Sequence, residues 1–158
     1  MANSSPAEGE VAEFAGQLFF RLWRASHMRA AEALVTLELT PALFGLLNVL
    51  GAREGANQQE IGAAMGIDRS TMVLLVDELE AKGLAERRPH PRDRRARELT
   101  ITAAGARALR SARRMVAQVE DEVLRGLNPA EREQLLGLLR HALQNAPAQS
   151  PWTAAEGD

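Results

Sequence analysis

Val11, Phe14, Leu18 and Leu22 recur at three- to four-residue spacing, the period of an amphipathic helix, and predict a first long helix over residues 11–36. Thr40 followed by Pro41 is an N-cap with proline at the first helical position. It opens a second helix that carries Leu43, Leu46, Leu47 and Leu50 and ends near residues 51–55. Asn57 is placed to cap a short third helix whose inward face is Ile61, Ala64 and Met65, and Gly66 stops it. Asp68 caps a fourth helix with Met72, Leu75, Val76 and Leu79 inward, ending at Lys82-Gly83.

After Gly83 the period changes. Residues 84–88 read as a strand, 89–95 as a turn rich in proline and arginine, and 96–102 as a second strand in which Leu99 and Ile101 alternate with Glu98 and Thr100. Thr102 then caps a long helix whose apolar stripe is Leu109, Ala112, Val116, Val119 and Val123, suited to packing along another helix. Asn128-Pro129, with Glu131 in the first turn, begins a last helix bearing Leu135, Leu138, Leu139 and Leu143. The order helix, helix, turn, helix, hairpin is that of a winged helix-turn-helix. The expected fold is mainly α with a small β-hairpin wing, its core over about 40–102, flanked by dimerisation helices over about 11–36, 103–126 and 129–146. Residues 11–146 form one domain in this reading. Residues 1–10 and 147–158, rich in Ala, Ser, Pro and acid, are expected to be a disordered N-terminus and a flexible tail.

Composition narrows the function classes. The 158 residues contain no cysteine, which excludes disulfides, thiolate metal sites and cysteine nucleophiles. No tyrosine and only four Phe and two Trp argue against a stacking platform for single-stranded nucleic acid. The start of the chain lacks the basic and apolar regions of a secretory signal. The longest uncharged stretch, residues 39–52, falls short of the roughly 20 apolar residues that span a bilayer. A cytoplasmic protein without membrane contact is expected. Net charge is −2, which by itself argues against a nucleic-acid partner. Its distribution reverses that reading, because residues 85–114 hold ten arginines against Glu86, Asp93 and Glu98.

The basic segment lies where DNA docking needs it. Arg69, Ser70 and Thr71 open the fourth helix, and donors at a helix N-terminus meet base edges and phosphates when that end enters the major groove. Arg92, Asp93, Arg94, Arg95 and Arg97 occupy the hairpin tip and its second strand. Guanidiniums on such a projection reach an adjacent minor groove, where the negative potential favours arginine. Asp93, repulsive toward DNA on its own, reads as an internal partner that fixes the loop's shape for a neighbouring arginine. Arg107, Arg110, Arg113 and Arg114 on the fifth helix are expected to be solvated or to pair with acids of a partner subunit.

The runs Gly66-Ile67-Asp68-Arg69-Ser70-Thr71, Val76-Asp77-Glu78-Leu79-Glu80-Ala81-Lys82-Gly83-Leu84, and Asp93-Arg94-Arg95 followed by Leu99-Thr100-Ile101-Thr102-Ala103-Ala104-Gly105 resemble the MarR family of bacterial transcription regulators. The resemblance covers residues 39–109 and extends by helix order to both flanks. It implies a homodimer held by the first, fifth and last helices, a pseudo-palindromic double-stranded DNA operator, and action as repressor or activator. It also implies control by small aromatic or phenolic compounds in a cleft between the dimerisation and DNA-binding regions. The expected function is a repressor released by such a ligand. Where many relatives have Thr-Arg in the middle of the recognition helix, this chain has Val73-Leu74. That removes a polar contact and leaves Leu74 either as an apolar contact to thymine methyls or as packing, of which packing is preferred.

Trp23, His27 and Met28 on the first helix, with Leu47 on the second, are candidate ligand-lining residues, although Trp and Met at helical spacing are more often core or dimer interface. His27, His90 and His141 are scattered, without metal-ligand spacing. No nucleophile elbow, P-loop or dinucleotide fingerprint is present. Neither a catalytic residue nor a metal or cofactor is expected. The competing class is a winged-helix protein-interaction module without specific DNA binding. Arg69 and the arginine-rich wing argue against it.

Overall fold

The computed structural model describes residues 14–53, 56–90 and 93–145; of these, the side chains of residues 56, 90 and 93–97 are not described. The two ends expected to be disordered therefore lie outside the described residues. The elements run α1 (Ala15–Leu34), a 3₁₀ turn (Val35–Leu37), α2 (Pro41–Ala52), β1 (Ala56–Asn57), α3 (Gln58–Met65), α4 (Arg69–Ala81), β2 (Ala85–His90), β3 (Asp93–Ile101), α5 (Ala103–Val123) and α6 (Pro129–Asn145).

Local capping chemistry sets most of these boundaries. The Thr40 side chain accepts from Leu43 N at 3.2 Å, with Pro41 at the first helical position. Asn57 and Glu60 form a reciprocal capping box at α3, and Asn128 and Glu131 exchange the same pair of bonds at α6. Each satisfies backbone N–H groups that a helix start leaves without partners. Gly66 ends α3 in the left-handed region at φ 65°, a conformation open to glycine without steric cost.

The hairpin is longer than the sequence indicates and has a third member. Strand order is β1-β3-β2, with Ala56 opposite Leu99 and Asn57 opposite Glu98. Pro89, read above as turn, lies within β2 opposite Arg97. β2 is an edge strand, so the missing proline N–H costs the ladder nothing. The link therefore shrinks to residues 91 and 92.

Leu43, Leu46, Leu47 and Leu50 of α2 are buried together with Leu34, Ile61, Met72, Val76, Leu79, Leu99, Leu109 and Ala112. Burial of each leucine contributes about 1.5–3 kcal/mol, and α2 is the element around which α3, α4, α5 and the sheet assemble. The stripe on α5 proves to be largely satisfied within the chain. Leu109, Ala112 and Val119 are buried, against α1 and α2. Apolar surface left without cover includes Phe14 at the start of α1, Phe19, Phe20 and Trp23 on it, Leu74 on α4, and α6, where no residue is buried and Leu143 is 75% exposed. The other helix that the α5 stripe is suited to is thus found within the chain, which periodicity alone does not say.

α5 starts against the end of α4 in a close joint. Thr102 accepts from Gly105 N at 2.9 Å and donates its hydroxyl to the Gly83 carbonyl at 2.7 Å, and its N–H reaches the Leu84 carbonyl at 3.1 Å. A Cβ on Gly105 would overlap the Leu84 carbonyl oxygen and stand 2.8 Å from Ile101 Cγ1, whereas one on Gly51 would meet side-chain ends alone, Leu109 Cδ2 at 2.5 Å and Arg113 Nη2 at 4.0 Å. Gly105→Ala is expected to destabilise the fold by about 3 kcal/mol, at the upper end for overpacking. Gly51→Ala should be near neutral, since alanine returns about 1 kcal/mol of helix propensity. Urea denaturation of the two variants checks the contrast.

Candidate nucleic-acid interface

Helix α4 turns Met72, Val76 and Leu79 into the core, which leaves Arg69, Ser70, Thr71, Val73, Leu74 and Asp77 on its outer side. The sequence places Arg69, Ser70 and Thr71 there correctly as positions. Their chemistry differs from expectation. The Asp68 carboxylate accepts from Ser70 N at 2.9 Å and Thr71 N at 3.0 Å, and it takes the Ser70 and Thr71 hydroxyl protons at 2.5 Å each. The Ser70 and Thr71 hydroxyls and these bonds hold the Asp68 pKa well below the ordinary carboxylate value. The carboxylate also sits at the positive end of the helix dipole. The N-terminus of α4 is therefore already matched with an anion, and both hydroxyls face outward as acceptors. Phosphate attraction at this end falls to the exposed Arg69 guanidinium, which has no partner among the described residues.

Gln58 and Gln59 at the start of α3 join Arg69 and Val73 around a cleft of about 480 Å³ between the two helices of the motif. Sequence reading missed these glutamines, because a polar first turn is common in any solvated helix. Leu74, for which the sequence left a thymine-methyl contact or packing open, is 69% exposed. The packing role preferred for Leu74 is incorrect: Leu75 and Val76 take the inward positions next to it, and Leu74 is left on the crest.

Arginines near the wing are not all available. Arg87 donates to Asp77 at 2.7 Å and pairs with Glu80, tying β2 to α4, and Arg88 pairs with Glu86. Arg113 bonds Asn48 at 2.9 Å across α5 and α2, within the chain rather than to a partner subunit. The side chains of Asp93, Arg94, Arg95 and Arg97, and all of Arg92, lie outside the described residues; the backbone of β3 carries the first four on the hairpin arm.

The candidate ligand residues separate. Trp23 stacks on His27 with centroids 4.9 Å apart, and Phe20 approaches Trp23 at 6.0 Å. Met28 is exposed on the same helix. Leu47 is fully buried in the core cluster and presents no accessible wall. Leu18, Leu22, Ala25 and Arg29 instead face α5, where Arg29 pairs with Glu122 at 3.5 Å. At about 100° per residue, Trp23 and His27 point to the opposite side of α1. Among the described residues no group of three acidic or histidine side chains is placed to hold a metal ion. No single helix there is long and apolar enough to cross a membrane.

A second helix presented outward from a helix-turn-helix, a hairpin arm behind it and long helices framing both define a winged helix-turn-helix protein of the transcription-regulator class. A MarR family profile matches residues 37–96. A protein assigned as the transcriptional regulatory protein for the hcr operon of Thauera aromatica is 36% identical over 98% of this chain and 95% of its own length. The chain belongs to the MarR family of transcriptional regulators. Among solved structures, the transcriptional repressor CouR bound to a 23-mer DNA duplex is 33% identical with a TM-score of 0.78, covering 89% of this chain and 99% of that one. CouR from Rhodococcus jostii RHA1 bound to p-coumaroyl-CoA is 29% identical with a TM-score of 0.73, covering 85% of this chain and 94% of that one.

The four donors around Asp68 favour its ionised form, so its contribution to stability is complete above the ordinary value of 3.8. It is lost as pH falls below that value toward the depressed one. The difference in urea midpoint between the native protein and Asp68→Ala should be constant from about pH 5 to pH 8 and shrink below about pH 4. Urea titrations at stepped pH measure it.

Proposed function

We propose that the chain is a homodimeric repressor that reads a pseudo-palindromic double-stranded DNA site with two copies of α4 and its arginine-rich wing. The exposed outer side of α4, with Arg69 beside the Asp68-capped N-terminus and without a partner among the described residues, is the observation that carries this reading. The CouR complex with duplex DNA supports the same use of the fold.

In this reading residues 11–146 act as one domain, and α1, α5 and α6 form the dimer frame. The uncovered apolar residues on α1 and α6 favour a two-fold partner, the commonest closed arrangement. The wing contributes through Arg92, Arg94, Arg95 and Arg97 in the minor groove, with Asp93 shaping the tip. Release is by an aromatic ligand seated against Trp23, His27 and Met28 on α1, a helix of that frame. The p-coumaroyl-CoA complex of CouR supports an aromatic acid or its coenzyme A thioester as the chemical class. Such a ligand frees DNA only by binding the DNA-incompetent spacing of the two α4 helices better than the competent one.

Selection from a pool of random duplexes followed by anisotropy titration tests the proposal. The native protein should enrich a two-fold-symmetric sequence, with affinity that falls steeply as salt rises. Arg95→Ala should remove most of that affinity. Asp93→Ala should weaken it although a negative charge is lost, and tighter binding would refute the shape-fixing role. p-Coumaroyl-CoA or p-coumarate should lower affinity and change Trp23 fluorescence over one concentration range in a Trp152→Phe background. Absence of any duplex binding would favour a protein-interaction module instead.

A further inference from the structure

The crest of α4 carries an apolar side chain where a DNA-reading helix most often has polar ones. Met72, Val76 and Leu79 mark the face turned to the core. At about 100° per residue, the direction opposite that face falls between Ser70 and Leu74, one turn apart. Leu74 is 69% exposed and Val73 37% exposed, and the two line one open hollow with Asp68, Arg69 and Ser70. The Ser70 and Thr71 hydroxyl protons are held by Asp68. The part of α4 that would enter deepest into a groove therefore offers acceptors and a branched hydrocarbon but no side-chain donor beyond Arg69.

Among base edges in the major groove, the group that matches a hydrocarbon is the 5-methyl of thymine. We propose that Leu74 is a specificity-determining residue that packs on a thymine methyl in each half-site, so that sequence is read in part by burial of a methyl group rather than by hydrogen bonds. This inference rests on the DNA-binding function proposed above. Duplex DNA is the occupant to which the surroundings point. Arg69 supplies the attraction for phosphate beside the patch, and the related CouR, with a TM-score of 0.78, is a DNA-bound repressor.

The experiment uses the full chain and the duplex it selects. Each thymine under the two half-sites is replaced in turn by uracil, which removes only the 5-methyl group. For the native protein, one position per half-site should lose roughly fourfold in affinity, the transfer value of one methyl, and both together roughly fifteenfold. Leu74→Ala should show the same loss on the unmodified duplex and no response to uracil at that position, with helix content checked by circular dichroism. Leu74→Met, which keeps an apolar side chain, should retain part of the response. Binding that is indifferent to the methyl, or a response that persists unchanged in Leu74→Ala, overturns this inference alone. A change in the sedimentation of the DNA-free protein on Leu74→Ala, with the methyl response intact, would assign the patch to contact between protein copies and also overturn it. Failure to bind any duplex overturns the proposed function and this inference together.

Discussion

The reading helix depends on how it is joined to the long helix behind it, and Thr102 and Gly105 make that joint. The Thr102 hydroxyl bonds the Gly83 carbonyl while capping α5 through Gly105 N. Leu84 N closes back on the Leu79 carbonyl at the end of α4 at 2.8 Å. Gly105 has no room for a side chain against the Leu84 carbonyl. The end of α4, the first residue before β2, the end of β3 and the start of α5 thus share one small set of bonds. Arg87 adds a second tie from β2 to Asp77 and Glu80 on α4. These bonds tie α5, α4 and the hairpin to one another, so in the proposed dimer the position of the proposed reading elements is linked to that of α5.

Electrostatics on the outer face follow from the same economy of partners. Residues 85–114 carry ten arginines, yet Arg87, Arg88 and Arg113 are engaged within the chain. Asp68 occupies the helix N-terminus that a phosphate would otherwise favour. Among the described side chains of the α4 outer face, attraction for a polyanion rests on Arg69, while the middle of α4 is left uncharged. Such a division suits a protein whose backbone contacts and base contacts come from different residues.

Much of this was legible in the sequence because it is local. Thr40, Asn57, Asp68, Thr102 and Asn128 each cap a helix within three residues, and the capping bonds form where the pattern puts them. The long-range features were not legible. β1 is two residues whose strand character exists only through pairing with Leu99 and Glu98. The α5 stripe could have faced a partner or α1, and spacing alone does not distinguish them. Leu74 sits in the run Val73-Leu74-Leu75-Val76, where four apolar residues in succession cannot all face the core. The helical period already puts Val76 inward and Leu74 off that face, and what remained for the fold to decide is whether another element covers Leu74. Leu47 lies on the inward face of α2, which is sealed in the core.

If the joint holds α4 and wing as one body on a two-fold frame, the footprint on DNA has a fixed geometry. Hydroxyl-radical and methylation protection on the selected duplex measure it. The account predicts two major-groove contact centres on one side of the duplex, about one helical turn apart at ~34–36 Å, each flanked by minor-groove protection from a wing. A single asymmetric patch, or major-groove centres on opposite sides of the duplex, would contradict it.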